Sequence, residues 1–380
     1  MQAQNMPGHP ILQFGTSRFL QAHVDLFVSE ALERGEALGG ITVVQSTGNP
    51  ASTLRTQAMA SAAGFPVIVR GLAGGQPVEE QKTCRSVREA VHASTDWRAV
   101  RERMRGPVRV IVSNTGDSGW VLVPQDGPSQ LAGTGDAPAS FPAKLLVLLH
   151  DRWLAQPDAA LTLLPCELVS RNGERLRDIV VQLALDWRCA QAFVGWLQAQ
   201  PVWANSLVDR IVSQALEPVG AVAEPYALWA IESQPRLQLP CRHPAIVLTD
   251  GLARFERLKL YLLNLGHTLL ADLWLKGRLA AGMTVLQAMQ DPALRDPLEA
   301  AWQHEVLPVF EALGQGGEAR SYLAGLRDRL LNPFLAHRLA DIAQNHEQKK
   351  ARRLLPLVEL AQRHVPGLPQ PVLQAALAAH

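Results

Sequence analysis

Residues Ile11–Asp25, ILQFGTSRFLQAHVD, decide how the first half of the chain is read. A short apolar run, Ile11–Phe14, ends at Gly15 and passes straight into a stretch with helical periodicity. Strand, glycine turn and helix is how a dinucleotide-binding unit begins. The glycine lets backbone approach a pyrophosphate, and the helix start offers free N–H groups and a positive dipole end. The usual fingerprint has three glycines, and this stretch has one. Ser17 stands where the second belongs; a serine still permits fairly close approach and can donate to a phosphate. The residues alone leave two readings open, a variant nucleotide turn and a plain strand–helix junction.

Working outward, further strands are predicted at Ile41–Gln45, Pro66–Arg70, Val108–Ser113 and Leu161–Pro165. Several are almost continuously apolar, as buried parallel strands are. Helical stretches lie between them, at Arg18–Arg34, Ala51–Ala62, Asp96–Arg105 and Pro142–Leu154, and Gly127–Ala139 reads as a loop. Alternation of this kind predicts an open α/β sheet. After a strand-like Ala245–Thr249 the pattern is helical almost to the end. Two long helices cover FERLKLYLLNLGHTLLADLWLKG, stopped by Gly277, and DPLEAAWQHEVLPVFEAL, with a kink or break at Pro308. Leu323–Leu331, Pro333–Gln344 and Leu354–His364 follow. The expected architecture is an α/β Rossmann-like domain over residues 1–248 and a mostly α-helical substrate or catalytic domain over 249–380.

At 380 residues the chain is long enough for two cores. A net charge of +1, from 36 basic and 35 acidic residues, gives no electrostatic argument for nucleic acid or an anionic membrane as partner. The cysteines, Cys84, Cys166, Cys189 and Cys241, form no CxxC pair and match no zinc spacing, which suits a reduced, cytoplasmic protein. The opening MQAQNMPGHP lacks the basic and apolar regions of a signal peptide, and no run is apolar enough to span a membrane. The end of the second strand normally carries an acid that binds the adenosine ribose. Here it runs Gln45-Ser-Thr-Gly-Asn49, without a carboxylate. Arg55 could instead meet a 2′-phosphate, or be a solvated arginine on a helix.

KLYLLNLGHT sets Lys259, Asn264 and His267 inside a leucine-rich helix. At 100° per residue they fall within an arc of about 140°. A lysine shielded from water can act as acid or base near neutral pH, and an amide beside it can hold the oxygen of a reacting carbonyl. The plainer reading is a snorkelling lysine with Asn264 and His267 in interhelix hydrogen bonds.

KLYLLNLGHT resembles the K-x4-N-x2-H signature of the long-chain mannitol dehydrogenase family, which holds polyol dehydrogenases and hexuronate reductases. QFGTSRFLQAHVD resembles its cofactor turn, and VSNTGDSG its segment after the fourth strand. FPAKLLVLL, PCELVSRNG, NSLVDRIV and RLLNPFLAHRLADIA follow in the family's order, so the likeness covers roughly residues 11–360. PCELVSRNG and FPAKL are most similar to the tagaturonate reductase (altronate oxidoreductase) branch. The resemblance implies metal-independent hydride transfer between NAD, or NADP, and a sugar carbon. It implies Lys259 as acid/base, Asn264 as oxyanion donor, His267 as its partner and Asp209 near the site, unless Asp209 only pairs with Arg210. It implies cofactor contacts from Phe14, Gly15, Thr16, Ser17, Arg18, Phe19, Ser113, Asn114 and Thr115. The chain departs from the family at Ser17, at Gln21 in place of an arginine, and at Leu168, where mannitol 2-dehydrogenases carry an asparagine; His23 is kept.

The expected substrate is a keto-sugar acid of the tagaturonate or fructuronate type, whose carboxylate needs a cation from Arg329 or from the basic run Lys349, Lys350, Arg352 and Arg353. That run reads by default as a solvated face. The alternatives are a dehydrogenase of a neutral polyol (mannitol, arabinitol or altritol type) and a nucleotide-binding homologue that no longer catalyses.

Overall fold

The computed structural model describes residues 8–46, 50–116, 119–132 and 136–378. The chain divides into two compact units. The first is built from residues up to 68, 81–223 and 227–252, and the second from 69–80, 224–226 and 253 onward.

The first unit is organised by a parallel six-stranded sheet. Its spatial order is Val87–His92, Ile41–Gln45, Ile11–Phe14, Val110–Ser113, Thr162–Pro165 and Val202–Trp203. Counted along the chain these strands lie in the order 3-2-1-4-5-6, that of a dinucleotide-binding fold. The central strands are buried on both faces, which is why they read as unbroken apolar runs. Helices Trp97–Arg105, Phe141–Ala155, Asn172–Asp186 and Gln191–Ala199 contribute Val100, Leu146, Val180 and Phe193 to the core on one face. A smaller sheet orders Ile246–Thr249, Leu228–Glu232 and Ser206–Asp209. Seven strands among the described residues escape the sequence pattern, four of them, Ser206–Asp209, Val212–Ala215, Ala221–Ala223 and Leu228–Glu232, because they are only three to five residues long; the other three have reasons of their own. Gln76–Cys84 is largely exposed and has no apolar face to betray it, Val87–His92 alternates too weakly, and Val202–Trp203 is two residues long.

The second unit is helical, apart from the outer part of the hairpin Phe65–Ala73 and Gln76–Cys84 that groups with it. Its central rod runs Ala253–Lys276 and is capped by Gly277. Trp302, fully buried, packs against this rod and donates from Nε1 to the Leu262 carbonyl at 3.3 Å. Pro308 opens a new α-helical segment, Leu307–Ala312, directly after a π turn at Ala301–Val306.

One expected helix is absent. The periodicity predicts a helix over Pro333–Gln344, but only Leu339–Ile342 is helical. The Asn332 side chain turns the chain by accepting from Phe334 N–H at 3.0 Å. Residues 337–339 are then held extended: Val285 N–H donates to the His337 carbonyl, Leu339 N–H to the Met283 carbonyl, and Thr284 bridges to Arg338. Backbone bonds to a neighbouring segment outcompete local helix propensity here. Asn332-Pro333 therefore begins a turn and not a helix.

A β-carbon on Gly266 would lie 2.6 Å from Trp302 Cζ2. Gly266→Ala should therefore destabilise the second unit by about 1–3 kcal/mol through overpacking, measured as a lower urea midpoint.

Candidate active site

The opening turn sits at the C-terminal end of the central strand, beside the point where the strand order reverses. Gly15 has φ +117, and a β-carbon there would lie 2.5 Å from the Asn114 carbonyl oxygen. No other residue fits. Ser17 is in ordinary extended backbone, φ −66 and ψ 150, so a side chain is tolerated there. Its hydroxyl accepts from Leu20 N–H at 3.3 Å and faces Asn114 Oδ1 at 3.4 Å. The residue in the second glycine's place is thus the N-cap of the following helix. Gln21, in place of the family arginine, donates to the Thr16 carbonyl at 3.0 Å and accepts from Gly220 N–H at 2.9 Å, bracing the turn.

Phe14 ends the strand that leads into this turn. Its ring is fully buried against Phe141, with centroids 5.2 Å apart, so only its backbone reaches the turn. Phe19 stacks on His23 at 4.8 Å, and Arg18 is exposed, with Nη1 3.5 Å from the Ser213 carbonyl. His23 Nε2 donates to the Leu228 carbonyl at 3.1 Å, and burial pushes the ring down to about 3, so it is neutral.

Ser113, Asn114 and Thr115 are arranged around a residue not singled out in the sequence. The buried Glu167 carboxylate accepts from Ser113 Oγ at 2.9 Å and from both Thr115 N–H and Oγ1 at 3.0 Å. Asn114 Nδ2 donates to the Cys166 carbonyl at 3.0 Å. The signal was present, since Glu167 is the acid that ends PCEL just beyond a strand. Leu168, beside it, is 75% exposed. Asp117 and Ser118 of VSNTGDSG lie outside the described residues, as do Thr47, Gly48 and Asn49 at the end of the second strand. Ser46 Oγ, at that strand end, is buried and has no hydrogen-bond partner among the described residues. A positive-φ glycine at the switch point, a capped helix start and an orphaned hydroxyl at the second strand fit the phosphates and ribose of a dinucleotide.

Asp209 is buried in the same unit, paired in register with Leu228, and its charge is felt by His23. The neighbouring Arg210 donates to the Ala22 carbonyl.

The second unit holds Lys259, Asn264 and His267. Residues Lys259–Asn264 form a π turn, and Leu265 N–H donates to the Leu260 carbonyl five residues back. Uniform α spacing is therefore wrong here. A π turn closes i to i+5, which sets Lys259 and Asn264 about one turn apart along one side of the rod. Lys259 and Asn264 are half-buried and His267 is buried. The His267 ring meets His337 edge-on, with centroids 5.0 Å apart. His337 was not singled out, although it lies within RLLNPFLAHRLADIA; the extended segment 337–339 carries it there. Burial lowers its pKa, with Asp341 opposing and Lys349 adding to the shift.

The basic run is solvated only in part: Arg352 is exposed, and Lys349 and Arg353 are half-buried. Lys350 is buried, 2.7 Å from Glu347 and 3.9 Å from Asp272. Lys349 Nζ donates to the Ile342 carbonyl at 2.7 Å, and Arg353 to Thr268 Oγ1 at 3.1 Å. Burial lowers both pKa values, and Arg353 further lowers that of Lys349. Arg329 is committed elsewhere: it pairs with buried Glu224 at 2.9 and 3.0 Å and lies over the Tyr226 ring.

Two family models match the chain: the mannitol dehydrogenase Rossmann domain over residues 9–240 and the mannitol dehydrogenase C-terminal domain over 251–379. An altronate oxidoreductase of Klebsiella pneumoniae is 31% identical over 97% of this chain and 78% of its own length. Another, of Halalkalibacterium halodurans, is 29% identical over 91% and 69%. Among solved structures, a Pseudomonas fluorescens mannitol 2-dehydrogenase in ternary complex with NAD and D-mannitol superposes with a TM-score of 0.72 at 19% identity, covering 97% of this chain and 78% of that one. A substrate-free D-sorbitol dehydrogenase superposes with 0.75 at 19% identity, covering 94% and 77%.

Glu167→Ala would leave the Ser113 hydroxyl and Thr115 N–H without their acceptor. A loss of roughly 2–3 kcal/mol is expected, read by urea unfolding and partly recovered in Glu167→Gln.

Proposed function

The chain belongs to the mannitol dehydrogenase family, and from that premise we propose that it interconverts a keto-sugar acid and the corresponding sugar acid as an NAD-dependent oxidoreductase. One observation carries the choice of an acid over a neutral polyol. Lys349 and Arg353 lie one helical turn apart, both desolvated, with no carboxylate in salt-bridge distance among the described residues. A like-charged, partly buried pair is costly by itself and is relieved by an anion. Lys349 is close enough to His337 to lower its pKa, and His337 touches His267, so this unneutralised charge adjoins the histidine pair. A substrate carboxylate is the anion of matching chemistry.

The nicotinamide supplies the hydride to a ketone, or accepts it from an alcohol. Lys259 gives a proton to the forming alkoxide and removes one in the reverse direction. The Asn264 amide donates to the developing oxyanion, since Leu168 offers no donor. His267, oriented by its contact with His337, shares that oxygen or steadies the lysine. Asp209 is assigned to a substrate hydroxyl. Phosphates of the dinucleotide fall to the turn Gly15–Arg18, and the Ser113–Thr115 segment to its ribose. NAD is favoured over NADP by the related chemistry of the superposable mannitol 2-dehydrogenase complex; Arg55, half-buried, is the residue to watch if NADPH is the better cofactor.

The test is loss of nicotinamide absorbance with NADH and NADPH offered separately, each with tagaturonate, fructuronate, fructose and ribulose. Turnover confined to a uronate is the expected result. Turnover confined to neutral ketoses would move the enzyme to the polyol branch, and cofactor binding without turnover of any of the four would favour a non-catalytic homologue. Lys259→Ala should lower kcat by about 10²–10⁴ with cofactor affinity kept. Lys349→Ala should instead raise KM for the uronate about tenfold, a loss of about 1.4 kcal/mol of binding, with little change in kcat.

A further inference from the structure

Beneath the cofactor turn lies a buried polar cluster that the reaction does not use. Gln13 and Asp25 are both fully buried. Gln13 Nε2 donates to the Gly15 carbonyl at 3.3 Å, the carbonyl of the glycine that makes the turn. Gln13 is also the side chain close enough to the Asp25 carboxyl to act on it, opposing in part the rise that burial imposes. Yet Gln13 Oε1 and both Asp25 carboxyl oxygens have no donor among the described residues. Buried acceptors without a donor are costly, and an unpaired buried carboxylate is the costliest of them. One proton on the carboxyl removes the buried charge and supplies the donor that Gln13 Oε1 lacks.

We propose that Asp25 is a positioning residue held as a neutral carboxylic acid, whose O–H donates to Gln13 Oε1 and so fixes the carboxamide that holds the Gly15 carbonyl. The inference rests on the reading that this turn holds a dinucleotide. Loss of the proton would set Gln13 Oε1 against a carboxylate, favour a flip of the amide, and turn its oxygen toward the Gly15 carbonyl.

The surroundings agree. Burial raises the Asp25 carboxyl to about 8. Ser86 Oγ donates to the Asp25 backbone carbonyl at 2.7 Å and lies 3.4 Å from Cys84 Sγ. The Cys84 thiol, which feels Asp25, is raised to about 12, and His23, two residues away in the same π turn, is lowered to about 3. Both stay uncharged between pH 5 and 9 (about two to three units from either limit). Because the folded pKa of Asp25 lies above its ordinary value, its contribution to stability is full below about pH 4 and is lost as pH rises to about 8.

Infrared spectra of the cofactor-free wild type should show a protonated-carboxyl band at pH 6 that fades through about pH 8 and is missing from Asp25→Asn. That variant keeps a donor toward Gln13. Its urea stability should be flat over the window in which wild type declines. By tryptophan fluorescence, wild-type NAD affinity should weaken up to about tenfold per pH unit above about 8, whereas Asp25→Asn stays flat and Asp25→Leu is weak throughout. Absence of the acid band in wild type overturns the proposal without any substitution, as does an Asp25→Asn stability profile with the wild-type slope. An acid band with no NAD binding at any pH overturns the dinucleotide reading, and the positioning role with it.

Discussion

The approach of Gly15 to the Asn114 carbonyl is the constraint on which the first unit turns. It joins the ends of two adjacent parallel strands at the place where the sheet's strand order reverses. Because the backbone there has φ +117 and no space for a β-carbon, the chain must leave the strand at that point and start a helix. Ser17 and Glu167 then tie the same strand ends together, through Asn114, Ser113 and Thr115. Each bond is worth only about 1 kcal/mol. Their value is directional: they leave the helix start and the strand ends in one fixed relation, and a pre-shaped turn loses little entropy when it takes a ligand.

How much of this was legible follows from where the determining interactions lie. The central parallel strands were readable because burial on both faces writes itself as unbroken apolar sequence. Gly15 was readable because only glycine serves there, and Lys259, Asn264 and His267 stood out as polar types in leucine-rich surroundings. Glu167 and His337 were not singled out, although both sit within motifs that were. Their importance comes from partners distant in sequence, Ser113 and Thr115 in one case and His267 in the other. The mistaken helix at Pro333–Gln344 has the same origin: its periodicity is helical, but residues 283–285 claim its backbone groups. Ser17 departs from the nucleotide fingerprint in sequence only, because its extended backbone needs no glycine.

Charge shows a similar division between composition and placement. A net charge of +1 says nothing about a binding site. Arg329 and Lys349 are both basic and both in the second unit, the first buried and the second half-buried, yet they differ in kind. Arg329 meets Glu224 in a paired, closed arrangement, whereas Lys349 meets a carbonyl and a neighbouring arginine. The first is architecture. The second is a charge beside a like charge, lowered in pKa by burial and by Arg353.

The π turn at Lys259–Asn264 has a consequence for how such a helix is inherited. A π turn amounts to one residue added to a regular helix without breaking it. Deleting one residue between Lys259 and Asn264 would let the turn close as plain α-helix, with the two side chains at i and i+4 and still on one side of the rod. The difference in length is absorbed inside the turn, so the helical segments on either side keep their faces. A lysine and an amide can therefore keep one relative placement at two different spacings in the sequence, and the backbone at that turn, not the residue count, decides which spacing works.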